Sequence, residues 1–142
     1  MSGRYLLWAE VQQWKAKRTT MSNSWCYLLT RYGEEKGKPT RDEISAAIKE
    51  LYEENLPGMT EGDYEEHGAG SLRYGYDDGP MYVLEITRHG TARLEEWADQ
   101  DYEIELCPVK EAEALSQEKA ALLWEHLAAG EIEAVRLYFQ MP

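Results

Sequence analysis

Between Ser24 and Gly33 apolar side chains occupy both alternations of the chain, Trp25, Tyr27 and Leu29 on one and Cys26 and Leu28 on the other. That pattern predicts a strand with two apolar faces, central in a sheet. "EEKGKP" (34–39) reads as a turn. Ile44, Ile48 and Leu51, flanked by Ala47 and Tyr52, then recur at helical spacing. Thr40 followed by Glu43 supplies a capping box, so "PTRDEISAAIKELYEEN" (39–55) predicts a helix that "NLPG" ends. Residues 59–70, "MTEGDYEEHGAG", are polar and acidic without periodicity and read as a loop.

Alternation returns in the next segment. "SLRYGY" (71–76) is one strand, "DDGP" its turn and "MYVLEITR" (81–88) the next, with Tyr82, Leu84 and Ile86 set against Val83, Glu85 and Thr87. "HG" turns into "TARLEEW" (91–97). "DYEIELCPV" (101–109) predicts a further strand, with Tyr102, Ile104 and Leu106 facing one way and Glu103 and Glu105 the other. "SQEKAALLWEHLAAG" (116–130) predicts a helix capped by Ser116 and stopped by Gly130, with Ala120, Leu123, Trp124 and Leu127 inward. "EIEAVRLYF" (131–139) reads as a last strand.

Upstream, Leu7, Val11 and Trp14 give residues 4–17 the spacing of a short amphipathic helix, and "RTTMSNS" breaks it. The expectation is a peripheral basic leader over 1–20 and one domain over 21–142. The fold class that follows is α+β: a mostly antiparallel sheet of five or six strands with two helices on one face, plus an optional N-terminal helix.

Composition narrows the function classes. The 142 residues suit one core, and an apolar fraction of 43% suits a folded chain. Acidic side chains number 27 against 15 basic ones, for a net charge of −12. Nucleic acid and anionic membranes repel such a chain, whereas a basic protein attracts it. The leader runs against this trend, with Arg4, Lys15, Lys17 and Arg18 opposed only by Glu10. Five Trp and ten Tyr beside a single Phe favour aromatics with a polar end, suited to a surface or interface. Cys26 and Cys107 both lie in apolar, strand-like runs and are expected to be buried free thiols. No apolar run approaches the roughly 20 residues of a membrane span, and the expected compartment is the cytoplasm.

Catalytic chemistry finds little support. His67, His89 and His126 have no metal spacing and no adjacent nucleophile. The glycines of "HGAG" and "GYDDG" sit among acids that would repel phosphate. Paired carboxylates such as Glu65/Glu66, Asp77/Asp78 and Glu95/Glu96 are what so acidic a chain produces anyway, and "EGDYEE" lacks the order of a calcium loop. No catalytic, cofactor or metal residue is expected. One segment stands out: "LEEWADQDYEIEL" (94–106) gathers carboxylates around Trp97 and Tyr102. On a strand, Asp101, Glu103 and Glu105 would form an acidic ridge beside Asp99, either a solvated sheet face or a docking surface with an aromatic anchor. Asp63, Tyr64, Glu65 and Glu66 share that character and would extend it.

From about Trp25 to Phe139 the chain resembles small bacterial immunity proteins of polymorphic and contact-dependent toxin systems. "SWCYLLTRYG", "KPTRDEISAAIKELYEEN", "LRYGYDDGPMYVLEITRHG" and the close "LSQEKAALLWEHLAAGEIEAVRLYF" carry the resemblance in their order. It implies a non-enzymatic inhibitor that covers the active site of a cognate toxin, often a basic nuclease or deaminase, or a surface next to it. The expected state is a monomer or weak dimer without a cofactor. Rival readings are a phage-type inhibitor of a host defence protein, a secretion chaperone, which would be an obligate dimer, and a small enzyme with an unrecognised site.

Overall fold

The computed structural model describes residues 23–54, 58–77 and 79–140. The helix expected over 4–17 lies outside the described residues. Six strands form one antiparallel sheet: β1 (Ser24–Leu29), β2 (Glu35–Gly37), β3 (Ala69–Tyr76), β4 (Met81–Thr87), β5 (Ala92–Trp97) and β6 (Lys110–Ala112). Their spatial order is β2-β1-β3-β4-β5-β6. Among the described residues four helices accompany them: α1 (Arg41–Glu53), α2 (Glu61–Glu66), α3 (Gln117–Ala128) and α4 (Ile132–Gln140). The α+β class and the antiparallel sheet are as expected.

The period-2 alternation builds the main core. Cross-strand registry lines up Leu28, Leu72, Leu84 and Leu94 across β1, β3, β4 and β5. Against that row pack Ile44, Ile48 and Leu51 of α1, Ala120, Leu123, Trp124 and Leu127 of α3, and Val135 of α4. The Trp124 indole N–H donates to the Leu84 carbonyl at 2.9 Å, so this fully buried side chain keeps its polar atom satisfied. Thr40 and Glu43 form the reciprocal capping box of α1. Ser116 caps α3 through the Lys119 N–H. Gly130, at φ 78, then turns the chain into α4, and a Cβ there would meet the Tyr74 hydroxyl at 2.6 Å.

Four segments depart from expectation. Residues 131–139 contain α4, not a strand. Ile132, Val135, Tyr138 and Phe139 meet the core at helical spacing while Glu133, Leu137 and Gln140 are exposed. Among the described residues α4 thus joins α1 and α3 in the helical layer. Residues 101–109 are a loop with a single bridge, Trp97 to Glu105. The alternation there is genuine, but Tyr102 sits at φ 59, a left-handed backbone that interrupts an extended chain. Residues 61–66 form α2 rather than a loop, started by a capping box between Thr60 and Asp63. Within the expected turn at 34–39, residues 35–37 form β2, which pairs with Tyr27–Leu29. As a result β1 lies one strand in from the sheet edge.

Candidate functional site

The helices cover one face of the sheet, and the opposite alternation of the same strands makes a second surface. Trp25, Gly75, Met81 and Trp97 form one cross-strand row on it, and Tyr27, Arg73, Val83 and Glu95 form the next. Leu29, Ser71, Glu85 and Arg93 make the third. Met81, Val83 and Trp97 pack into a small cluster of their own, with Trp25 against it and, among the described residues, no helical residue in it. The floor is thus apolar in its first row and mixed in charge by its third.

Two aromatic pairs shape this surface. Trp25 and Tyr27 lie with ring centroids 5.7 Å apart and planes tilted by 43°. Tyr102 meets Trp97 edge-on at 5.2 Å, the arrangement that the ring quadrupoles favour. Beside the first pair lies a pocket of about 360 Å³ lined by Trp25, Tyr27, Arg73, Asp77, Met81 and Gln100. Tyr27 and Leu29 remain more than one-third exposed, large apolar groups set side by side at the rim.

The segment from Ala98 to Val109 borders this face and is held there by its own polar groups. The Asp99 carboxylate accepts from the backbone N–H of Glu103 at 3.1 Å and of Ile104 at 3.0 Å. Gln100 reaches across to donate to the Tyr76 carbonyl at the end of β3, at 2.8 Å. The Ala98 N–H bonds the Ile104 carbonyl and the Leu106 N–H bonds the Glu96 carbonyl, which closes the loop at its base.

The expected ridge is redistributed accordingly. Trp97 is 6% exposed and forms the floor, so it is a packing residue rather than a projecting anchor. Its indole N–H donates to Glu95 at 2.9 Å. Asp99 is the staple of the loop. Asp101, Tyr102 and Glu103 are exposed on the loop, and Glu105 is half-buried at its bridge to Trp97. Asp101, Glu103 and Glu105 make no strand ridge, because no strand carries them.

Asp63 closes the capping box of α2, and the Thr60 backbone N–H holds its carboxyl below the usual carboxylate range. The side chains of Tyr64, Glu65 and Glu66 lie outside the described residues. The two acidic segments do not join. Segment 61–66 leads into the first residue of β3 while Gln100 grips the last, and these eight strand residues span about 23 Å.

Glu95 and Glu96 also part company. Glu95 lies in the second-face row beside Val83 and is half-buried, whereas Glu96 pairs with Tyr82 on the helix side and is 2% exposed. There its Oε1 accepts from Arg136 of α4 at 2.9 Å and 2.6 Å, and its Oε2 from Lys110 of β6 at 3.1 Å. Burial pushes the Glu96 carboxyl up, but the hydrogen bonds and charges of Arg136 and Lys110 outweigh it and hold the group below its usual range. This cluster ties β5, β6 and α4 together. Cys26 is buried in β1 and Cys107 half-buried in the loop, both free thiols, so the expectation of two buried strand cysteines holds only for Cys26.

Trp25, Tyr27, Arg73, Asp77, Met81 and Gln100 were not among the residues expected at a site. The signal for the first two is the shared alternation of Trp25, Tyr27 and Leu29, which predicts a central strand with two apolar faces and does not single out a site. Among the described residues, no helix is long and apolar enough to cross a membrane, and no group of three or more His, Cys, Asp or Glu could hold a metal ion. Comparison of the chain with protein-family models, with curated proteins and with solved structures finds no match.

Proposed function

We propose that this chain is a non-enzymatic binding module that docks a basic protein on the second face of its sheet, and that the docking neutralises a cognate toxin. The observation that carries this reading is the pairing of an aromatic floor with an acidic border. Trp25, Tyr27 and Met81 line one pocket with Asp77, and Trp97 carries Tyr102 of the loop that also bears the exposed Asp101 and Glu103. Interfaces concentrate affinity in a few aromatic anchors, while charged rims set encounter rate and partner choice. A chain of net charge −12 adds long-range attraction for a cationic partner.

The test is capture of the partner from the native host with the wild type and with Tyr27→Ala, followed by co-expression of each with the captured protein. The expected partner is basic, is released by salt, is retained poorly by Tyr27→Ala, and is toxic unless the wild-type chain accompanies it. Equal retention by the variant would move the interface elsewhere. A partner whose activity is unaffected by the complex would remove the neutralising role.

A further inference from the structure

On the helix side of the sheet, away from the proposed docking face, the Glu96 cluster contains one member that its electrostatics do not require. Arg136 and Lys110 already supply two cations to one carboxylate. Yet the Cys107 thiol also donates to Glu96 Oε2, at 3.3 Å, and Lys110 Nζ lies 3.0 Å from Cys107 Sγ. One carboxylate oxygen thus holds a thiol and an amine against each other. Glu96 is buried, but Cys107 and Lys110 are only half-buried, which leaves both open to a small oxidant.

We propose that Cys107 and Lys110 are the site of a reversible covalent modification in which peroxide joins sulfur to nitrogen through one oxygen atom. A separation of 3.0 Å is too long for a direct sulfur–nitrogen bond and suits a single intervening atom. In the first step Cys107 attacks peroxide. The sulfur–oxygen bond forms, the peroxide bond breaks, and one water leaves behind a sulfenic acid. In the second step the Lys110 nitrogen joins that oxygen. A second peroxide accepts the electron pair and is reduced to two waters, taking one proton from nitrogen and one from the sulfenic hydroxyl. In sum, one thiol, one neutral amine and two peroxides give the bridge and three waters. Two equivalents of a dithiol return thiol, amine and one water.

Lys110 must first shed its ammonium proton, which Cys107 and the Glu96 carboxylate 3.1 Å away hold in place, so the second step draws on the small neutral fraction of the amine. Burial, and then the Glu96 carboxylate, raise the Cys107 thiol, so thiolate is scarce near neutrality and the modification answers sustained oxidant rather than traces. The bridge would tie the end of the 98–109 loop to β6 and leave Glu96 with Arg136 as its remaining cation.

The experiment treats the full chain with hydrogen peroxide, then reads intact mass and a tryptic map prepared without reductant. The expected product gains one oxygen and loses two hydrogens. It resists cleavage after Lys110, giving a single peptide from Leu94 to Lys119, and dithiothreitol reverses both changes. Lys110→Arg keeps the charge but lacks the amine, and its Cys107 is expected to stop at oxygen-added acids. The proposal is overturned if wild-type Cys107 carries only added oxygens while cleavage after Lys110 persists. A disulfide to Cys26, or the same bridged mass in Lys110→Arg, overturns it equally. Should Lys110→Arg lose its cooperative unfolding, the wild-type map decides alone.

Discussion

The Trp25 indole lies across Gly75, its partner on the neighbouring strand, so closely that a Cβ at residue 75 would come within 2.3 Å of indole Cζ2. Glycine at this position lets an aromatic ring sit against the β3 backbone and pack against the Met81, Val83 and Trp97 cluster beyond. Gly75→Ala is therefore expected to expel the indole from its seat. The overpacking should cost about 1–3 kcal/mol. Denaturant unfolding measures the loss, and tryptophan emission should shift red as Trp25 meets water. Unchanged stability and emission would show that the ring moves aside freely.

Glu96 offers a sharper test of the opposite face. Replacing a buried carboxylate that holds Arg136 and Lys110 leaves two cations without it, and breaking a buried pair in this way costs about 3–5 kcal/mol. Glu96→Gln should lose stability on that scale at neutral pH. The sign of the pH dependence follows from the lowered folded pKa. The contribution of Glu96 is present above the unfolded value of about 4.3 and disappears as pH falls through the lower folded value. The gap in unfolding free energy between wild type and Glu96→Gln should therefore narrow below about pH 4. A gap that stays constant with pH would show that the carboxylate charge is not the source of the stability.

Asp99 controls the loop at the border of the docking face. Its carboxylate accepts from two backbone N–H groups, of Glu103 and Ile104, and hydrogen bonds to a charged acceptor are worth about 1.5–3 kcal/mol each. The loop is partly exposed, so Asp99→Ala should cost near the lower figure and act locally. Hydrogen exchange is the direct readout: the Glu103 and Ile104 amides should exchange faster while those of β4 keep their protection. Equal protection in the variant would mean that the loop is held by Gln100 and the Trp97–Glu105 bridge alone.

The two thiols should separate in labelling. Cys26 is buried among core residues, and burial pushes its thiol up to about 12. Cys107 is half-buried in a loop. A thiol reagent on native protein should modify Cys107 first and Cys26 only through unfolding, and denatured protein should show both. Equal rates would place Cys26 nearer to solvent than its 8% exposure implies.

What was legible in the sequence is what local periodicity encodes. Ile44, Ile48 and Leu51 announce α1, and Tyr82, Leu84 and Ile86 announce the inward face of β4. Where composition competes with periodicity, composition misleads. Val135, Tyr138 and Phe139 are strand-favouring residue types set at helical spacing, and burial of the helical stripe wins. At 101–109 the alternation was correct, but a turn at Tyr102 and the Asp99 side chain, both settled by three-dimensional context, override it. The candidate site was the least legible part. Trp25 and Tyr27 were visible as one face of β1, but which face the helices choose depends on α3 and α4, more than eighty residues away. The neighbours Glu95 and Glu96 show the same limit: one step along a strand separates a surface carboxylate from a buried ion cluster.

The last prediction concerns how the docking face divides its work between charge and ring. Asp101 and Glu103 are exposed on the loop, so a partner contact made by either would sit at a solvated rim worth about 0.5–1 kcal/mol, acting mainly through association rate. Tyr27 is 38% exposed on the floor beside Trp25, where a partner would bury it, and a buried aromatic anchor is worth about 2 kcal/mol or more, acting mainly through dissociation rate. Asp101→Lys with Glu103→Lys should therefore slow association with the captured partner and flatten its salt dependence, with unfolding unchanged. Tyr27→Ala should speed dissociation at nearly constant association rate. Trp97→Ala is the control for packing, because its ring is buried under the loop: it should lose about 3–5 kcal/mol of stability before any kinetic effect can be read. The three variants are to be measured by binding kinetics at two salt concentrations alongside denaturant unfolding. Dissociation unchanged in Tyr27→Ala, with association unchanged in the charge reversal, would remove this face from the interface.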